Sequence, residues 1–144
     1  MRILISACLL GARCRYDGVS KLQPWISDLA ERHILVPVCP EQLGGLPTPR
    51  PPAEILDGKV INAEGADVTQ QYEKGAREIL KLARLFNCEA AILKERSPAC
   101  GFGKVHNGLF DGGLVEGNGV LAGLLSREGL IIIGETQTDR LARL

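Results

Sequence analysis

Arg2-Ile3-Leu4-Ile5-Ser6-Ala7-Cys8-Leu9-Leu10-Gly11 follows Met1, and its reading decides the fold. The run from Arg2 to Ala7 is short, mostly apolar and ends abruptly at Cys8, as a strand buried in a parallel sheet does. Outward from it, Pro24 to His33 places Trp25, Ile26, Leu29, Ala30 and His33 on one helical face, with Pro24 suited to the first turn. Ile34 to Val38 is a second β-branched run and stops at Cys39-Pro40. Strand, helix, strand in that order predicts a right-handed βαβ crossover.

The alternation continues along the chain. Gly44 to Pro52 is rich in proline and glycine and has no periodicity. Ile55 to Ile61 reads as a hairpin, because Asp57-Gly58 favours a type I′ turn. Asp67 with Gln70 predicts a capping box. The helix it opens carries Val68, Tyr72, Ala76, Ile79, Leu80, Ala83 and Phe86 on one face, and Asn87 ends it. Ala90 to Leu93 is the next strand. Phe102 to Asn118 reads as loop, with room for a second hairpin at Asn107-Gly108 or Asp111-Gly112. Val120 to Arg127 is a short helix stopped by Gly129, Leu130 to Ile133 is the last strand, and Thr138 to Leu144 predicts a final helical turn or two. The chain is therefore expected to be a single α/β domain over residues 1–144. Its architecture is a Rossmann-like open, mostly parallel sheet flanked by helices, with a β-hairpin excursion. No G-x-G-x-x-G follows the first strand, so a dinucleotide cofactor is not expected.

Lys plus Arg and Asp plus Glu balance at 17 each. Without a basic excess or stripe, a small molecule is a better partner than a nucleic-acid polymer. The apolar stretch before Cys8, Ile3 to Ile5, falls far short of the roughly 7–15 residues of a signal peptide. No run approaches the roughly 18 apolar residues of a membrane span, so a cytoplasmic protein with no membrane partner is expected. In a reducing compartment, five cysteines point to metal binding or catalysis rather than to disulfides.

Cys8, Cys39 and Cys100 each lie at or just past the carboxyl end of a predicted strand, the edge where open α/β sheets build their sites. A lone cysteine is as readily a small buried hydrophobe. The flanks Cys39-Pro40-Glu41 and Ser97-Pro98-Ala99-Cys100-Gly101 are polar and turn-forming, unlike core positions. Three converging thiolates admit two metals. Zinc would take a fourth ligand such as Cys14, His33 or His106, although no C-x-x-C pair is present. A cubane iron–sulfur cluster would leave one iron open as a Lewis acid. Spacing alone does not choose between them.

A larger set of motifs is shared with a known family. Ser6-Ala7-Cys8-Leu9-Leu10-Gly11 with Cys14-Arg15-Tyr16-Asp17-Gly18, and Cys39-Pro40-Glu41 with Gly44-Gly45-Leu46 and Pro49-Arg50, belong to it. So do Gly65-Ala66-Asp67-Val68-Thr69, Leu93-Lys94 with Ser97-Pro98-Ala99-Cys100-Gly101, and Gly117-Asn118-Gly119-Val120. Together they resemble the family known as domain of unknown function 523, which includes the thiouracil desulfurases (TudS-type desulfidases), over nearly the whole chain. The resemblance implies a [4Fe-4S] cluster on Cys8, Cys39 and Cys100, with Glu41 and Ser97 taking part in catalysis. It implies removal of sulfur from a thiolated uracil, as free base or nucleoside monophosphate. Ala99 stands where Ser is frequent, and the second C-terminal domain of some members is not expected.

On this reading a soft thiocarbonyl sulfur meets the open iron, and Glu41 activates water against the attached carbon. Sulfide and a uracil-type product leave without net redox change. Arg15 and Arg50 are candidates to clamp a phosphate or a pyrimidine carbonyl, with Asp17 as a further substrate-binding candidate; the alternative for either arginine is a structural ion pair, with Asp17 as a candidate partner. Tyr16 is a candidate to stack on the base, and Gly117 to Gly119 to present amides to an anion. Cys14 is a fourth candidate thiol; Cys88 is assigned no role. The competing readings are an iron–sulfur or sulfur-carrier protein without turnover, and a structural zinc-binding domain.

Overall fold

The computed structural model describes residues 1–143. In chain order the elements are β1 (Arg2–Ser6), α1 (Ile26–Arg32), β2 (Ile34–Val38), α2 (Pro40–Leu43), β3 (Ala53–Leu56), β4 (Lys59–Asn62), α3 (Thr69–Leu85), β5 (Ala90–Leu93), β6 (Lys104–His106), β7 (Leu114–Glu116), α4 (Val120–Arg127) and β8 (Ile131–Gly134). Short 3₁₀ turns cover Ala7–Leu10 and Thr138–Arg143. The second matches the predicted terminal turn; Leu144 lies outside the described residues.

The central sheet has four strands in the order β2-β1-β5-β8, all parallel. Successive side chains of a strand point to opposite faces. Leu4, Ala91, Leu93 and Ile132 meet α3 and α4 on one face. Ile3, Ile5, Ile92 and Ile133 meet α1 and the terminal turn on the other. Both faces are covered, which is why β1, β5 and β8 read as nearly unbroken apolar runs rather than alternating ones. Among the described residues, no helix is long and apolar enough to cross a membrane.

Register places the functional edge. Ser6 pairs with Val38, and Ile5 with Ile92, so β1, β2 and β5 end nearly level. From β1 the chain first builds outward to β2, and later builds β5 on the opposite side of β1. Such a reversal leaves a crevice beyond the carboxyl ends of the strands. Ser6 Oγ accepts the Lys94 N–H at 2.9 Å and ties β1 to β5 at this edge.

Several local expectations need correction. The strand predicted over Arg2 to Ala7 stops at Ser6, because Ala7 begins the 3₁₀ turn that carries Cys8. The capping box does not form. Asp67 Oδ1 accepts the N–H of Thr69 at 2.9 Å, and α3 begins at that threonine with no side-chain cap. Phe86 follows the end of α3 and is exposed, while Asn87 takes the left-handed conformation at φ 52° that stops the helix. The second hairpin exists as β6 and β7, with both candidate turns inside the single loop between them. The first hairpin has φ 51° at Asp57 and 77° at Gly58, as a type I′ turn demands.

Candidate metal centre

Three loops beyond the sheet edge deliver the expected thiols to one cavity of about 510 Å³. Cys8 sits in the 3₁₀ turn after β1. Cys39 immediately precedes α2, whose helical turn closes through the Leu43 N–H onto the Cys39 carbonyl at 3.0 Å. Cys100 rides on a loop seated on the start of α4. The Val120 and Leu121 N–H groups donate to the Pro98 and Ala99 carbonyls, each at 2.9 Å. Ser97 Oγ accepts the N–H groups of Ala99 at 3.0 Å and Cys100 at 3.1 Å, which fixes the turn holding the thiol.

Cys14 joins them. Its carbonyl accepts the Cys39 thiol at 3.8 Å, and its own thiol lies against those of Cys39 and Cys8. Contact with Cys14, then burial, pushes the Cys39 thiol far above its ordinary range. Burial pushes Cys100 up to about 12. The bond with Cys39 draws Cys14 down, but the bond with Cys8 and burial leave it raised. Four free, largely buried thiols lining one cavity form a soft donor set suited to iron and sulfide. Cationic iron is what replaces such protons on binding. The residues therefore fit a [4Fe-4S] group. Cys88 follows α3 at the opposite end of the sheet, where Glu89 bonds to Arg2.

A compact zinc site has no such support. Among the described residues, no three His, Cys, Asp or Glu side chains meet closely enough for a single ion. Ligands of a cluster stand around a body several atoms wide, whereas a lone zinc needs all four within bonding distance of one point. His33 precedes β2 at the amino end of the sheet, since Ile34 pairs with Arg2. It is far from the thiols. His106 lines the cavity, and its Nδ1 has no partner among the described residues.

Glu41, in the first turn of α2, faces the thiols. Its Oε2 accepts the Tyr72 hydroxyl at 2.6 Å and Arg50 Nε at 3.2 Å. Its Oε1 takes no hydrogen bond among the described residues, and the residue lines the cavity. Burial, reinforced by the Glu41 charge, holds the Tyr72 phenol well above its usual value, so it remains a donor.

Arg50 is not at the cavity surface. Besides Glu41, its guanidinium donates to the Pro47 carbonyl at 3.1 Å, Thr48 Oγ1 at 3.0 Å and the Cys14 carbonyl at 2.9 Å. With its side chain 3% exposed, its fork braces the loops behind Glu41 and stands outside the cavity lining. Arg15 reaches the cavity wall but is paired with Asp17 through two bonds of 3.2 and 3.3 Å. Its guanidinium carbon lies 5.4 Å from the centroid of the Tyr16 ring. Tyr16 lines the cavity, while Asp17 is engaged with Arg15 and the Val19 N–H. The amides at the start of α4 do not await an anion. Gly119 N–H donates to the Gly101 carbonyl at 2.7 Å, and its neighbours hold the Cys100 loop.

Two residues escaped the sequence reading. Periodicity alone places Tyr72 in the core, although a phenol on an otherwise apolar helical face signals a buried partner for its hydroxyl. Glu54, in β3, is a buried carboxylate that lines the same cavity as the thiols. A charged residue inside a short strand was its only sign. Lys94 also lines the cavity, and its Nζ pairs with Glu135 at 2.7 Å.

Known proteins share this arrangement of chain. The family model described as 2-thiouracil desulfurase matches residues 3–137. The uncharacterized protein YbbK of Bacillus subtilis is 43% identical over 147 residues, covering 95% of this chain and 97% of that protein. The solved structure of the [4Fe-4S]-dependent thiouracil desulfidase TudS superimposes with a TM-score of 0.92 at 43% identity, covering 98% of this chain and 95% of that one.

Proposed function

The chain belongs to the 2-thiouracil desulfurase family, and from that premise we propose that it is a [4Fe-4S]-dependent desulfidase, a single domain that hydrolyses the carbon–sulfur bond of a small thiolated uracil in a reducing, cytoplasmic setting. The observation that carries this reading is the meeting of Cys8, Cys39 and Cys100 at one cavity with the Glu41 carboxylate beside them. Cys8, Cys39 and Cys100 are the three ligands. A cluster held by three thiolates supplies a soft Lewis acid that polarises a thiocarbonyl.

The chain's own groups perform the rest. Glu41 Oε1 takes a proton from water and directs the resulting nucleophile at the ring carbon. Tyr72 and Arg50 fix the other oxygen, so the carboxylate cannot swing away. The Ser97 oxygen accepts two amides, which leaves its O–H free to donate to the substrate. Tyr16 offers a ring face beside the cavity, while Arg15 and Asp17 hold that tyrosine's loop. The substrate is a free base or a nucleoside monophosphate rather than a polymer, since neutral net charge gives no electrostatic hold on a long phosphate chain. A carrier without turnover has no use for a braced carboxylate among its thiols, which favours the enzyme.

Anaerobic reconstitution with iron and sulfide tests the reading. The expected result is a brown protein with about four irons per chain that releases sulfide from 2-thiouracil without added reductant. Cys8→Ser, Cys39→Ser and Cys100→Ser should each lose iron and turnover together. Glu41→Ala should keep iron and lose turnover. A colourless protein, or one that binds iron yet releases no sulfide from any thiolated uracil or its monophosphate, contradicts the proposal.

A further inference from the structure

The cavity holds a second carboxylate that desulfuration by Glu41 leaves unused. Glu54 is 9% exposed, lies in β3 and lines the cavity. Its Oε1 accepts the N–H groups of Gly108 at 3.0 Å and Phe110 at 3.1 Å, in the loop between β6 and β7. Its Oε2 has no partner among the described residues, yet it is not among the buried atoms sealed from solvent without one. A buried carboxylate with one oxygen clamped and the other open to a cavity is an acceptor awaiting a donor.

A second observation points to the same corner. Phe110 lines the cavity with φ at 54°, a left-handed backbone that a bulky aromatic rarely adopts. The Glu54 bond to its N–H, with the neighbouring bond to Gly108, holds that conformation. Backbone strain of this kind collects at ligand clamps. One carboxylate therefore fixes the backbone that carries an aromatic residue of the cavity lining and keeps its second oxygen without a partner among the described residues. A flat heterocycle with an edge N–H matches both features, the ring by contact with Phe110 and the N–H by Oε2.

Resting on the desulfidase reading, we propose that Glu54 determines specificity by accepting the N3–H of the pyrimidine, with Phe110 positioned by the same side chain to cover the ring. N3 lies between the two ring carbons that bear sulfur in thiolated uracils. Its N–H is also the one shared by free base and nucleotide, because the sugar replaces the hydrogen on N1. Glu54 could then recognise 2-thio and 4-thio compounds alike, while Glu41 serves the carbon under attack.

Glu54→Gln separates recognition from structure. Its amide oxygen can still accept from Gly108 and Phe110, but the free position becomes an N–H₂ donor facing a donor. In the cluster-loaded protein, KM for 2-thiouracil should rise about tenfold or more, the loss expected for a hydrogen bond to a charged group. The turnover number should change far less, and iron content should stay at the wild-type value. Uracil affinity, read by calorimetric titration, should fall by the same factor. Wild-type protein should desulfurate 1-methyl-2-thiouracil and reject 3-methyl-2-thiouracil.

A Glu54→Gln protein with wild-type KM and wild-type uracil affinity overturns the proposal. Equal turnover of the two N-methyl isomers by the wild type overturns it as well. Sulfide release by the wild type reports on the desulfidase reading separately. Uracil binding needs no turnover, so the titration decides the role of Glu54 even where no sulfide appears; a wild type that does not bind uracil overturns it.

Discussion

At Glu41, two donors converge on one carboxylate oxygen and leave the other bare. Tyr72→Phe removes the shorter of them, at 2.6 Å, and keeps the ring that fills the core. Arg50 still holds the oxygen, so the fold and iron content should survive. The freed carboxylate should lower kcat about tenfold, the worth of one hydrogen bond to a charged group. Unchanged kcat in stopped sulfide assays would detach Tyr72 from the reaction. Arg50→Met should act differently, because it strips Glu41, the Cys14 carbonyl and the Thr48 region of one shared partner. Breaking a buried pair costs about 3–5 kcal/mol. Thermal denaturation should show that loss, together with poor iron uptake. The motif Pro49-Arg50 announced importance but not direction. Sequence spacing reports that a cation is near a cysteine; only the surrounding carbonyls decide whether it faces the cavity or the loops behind it.

Between elements, the decisive contact is α2 against α3. A Cβ on Gly75 would overlap the Pro40 carbonyl, and one on Gly44 would overlap the Gln71 carbonyl. The helices therefore touch backbone to backbone, which seats Cys39 and Glu41 at the cavity. In an exposed helix Gly→Ala gains about 1 kcal/mol of propensity. At Gly75 the clash with main chain has no flexible side chain to give way, and overpacking costs about 1–3 kcal/mol. Gly75→Ala should thus destabilise on balance and reduce iron retention. In α4, Gly123→Ala meets chiefly the mobile end of Arg127, so there the propensity gain should win. Denaturant midpoints of the two variants should move in opposite directions. The strands Ile34 to Val38 and Ala90 to Leu93 and the helix Val120 to Arg127 were legible to the residue, since apolar runs of that length have one way to be buried. The turn of α2 was not. It is four residues long, starts on a proline and runs into two glycines, so tertiary contact with Gly75 makes it a helix, not periodicity.

For the molecule as a whole, the buried thiols set a condition on stability. In the unfolded chain a thiol ionises near about 8.5, whereas folded, metal-free Cys100 keeps its proton up to about 12. Between those values the folded state binds the extra proton, so stability falls as pH rises. Each such thiol contributes a loss of about 1.4 kcal/mol per pH unit, and Cys39 shifts in the same direction. Urea midpoints of the metal-free protein should therefore drop steeply from pH 8 to 10, while the cluster-loaded protein, whose thiols have already given up their protons, should change little. A flat profile in the metal-free protein would contradict the burial of Cys100.

The level strand ends that bring residues 8, 39 and 100 to one edge also impose an order on biogenesis. A ribosome exposes the first two thiols long before the third, and β8 closes the sheet later still. A polypeptide interrupted before β5 has joined β1 lacks Cys100 at this edge, so the full donor set of the cavity exists only once the sheet has formed around it.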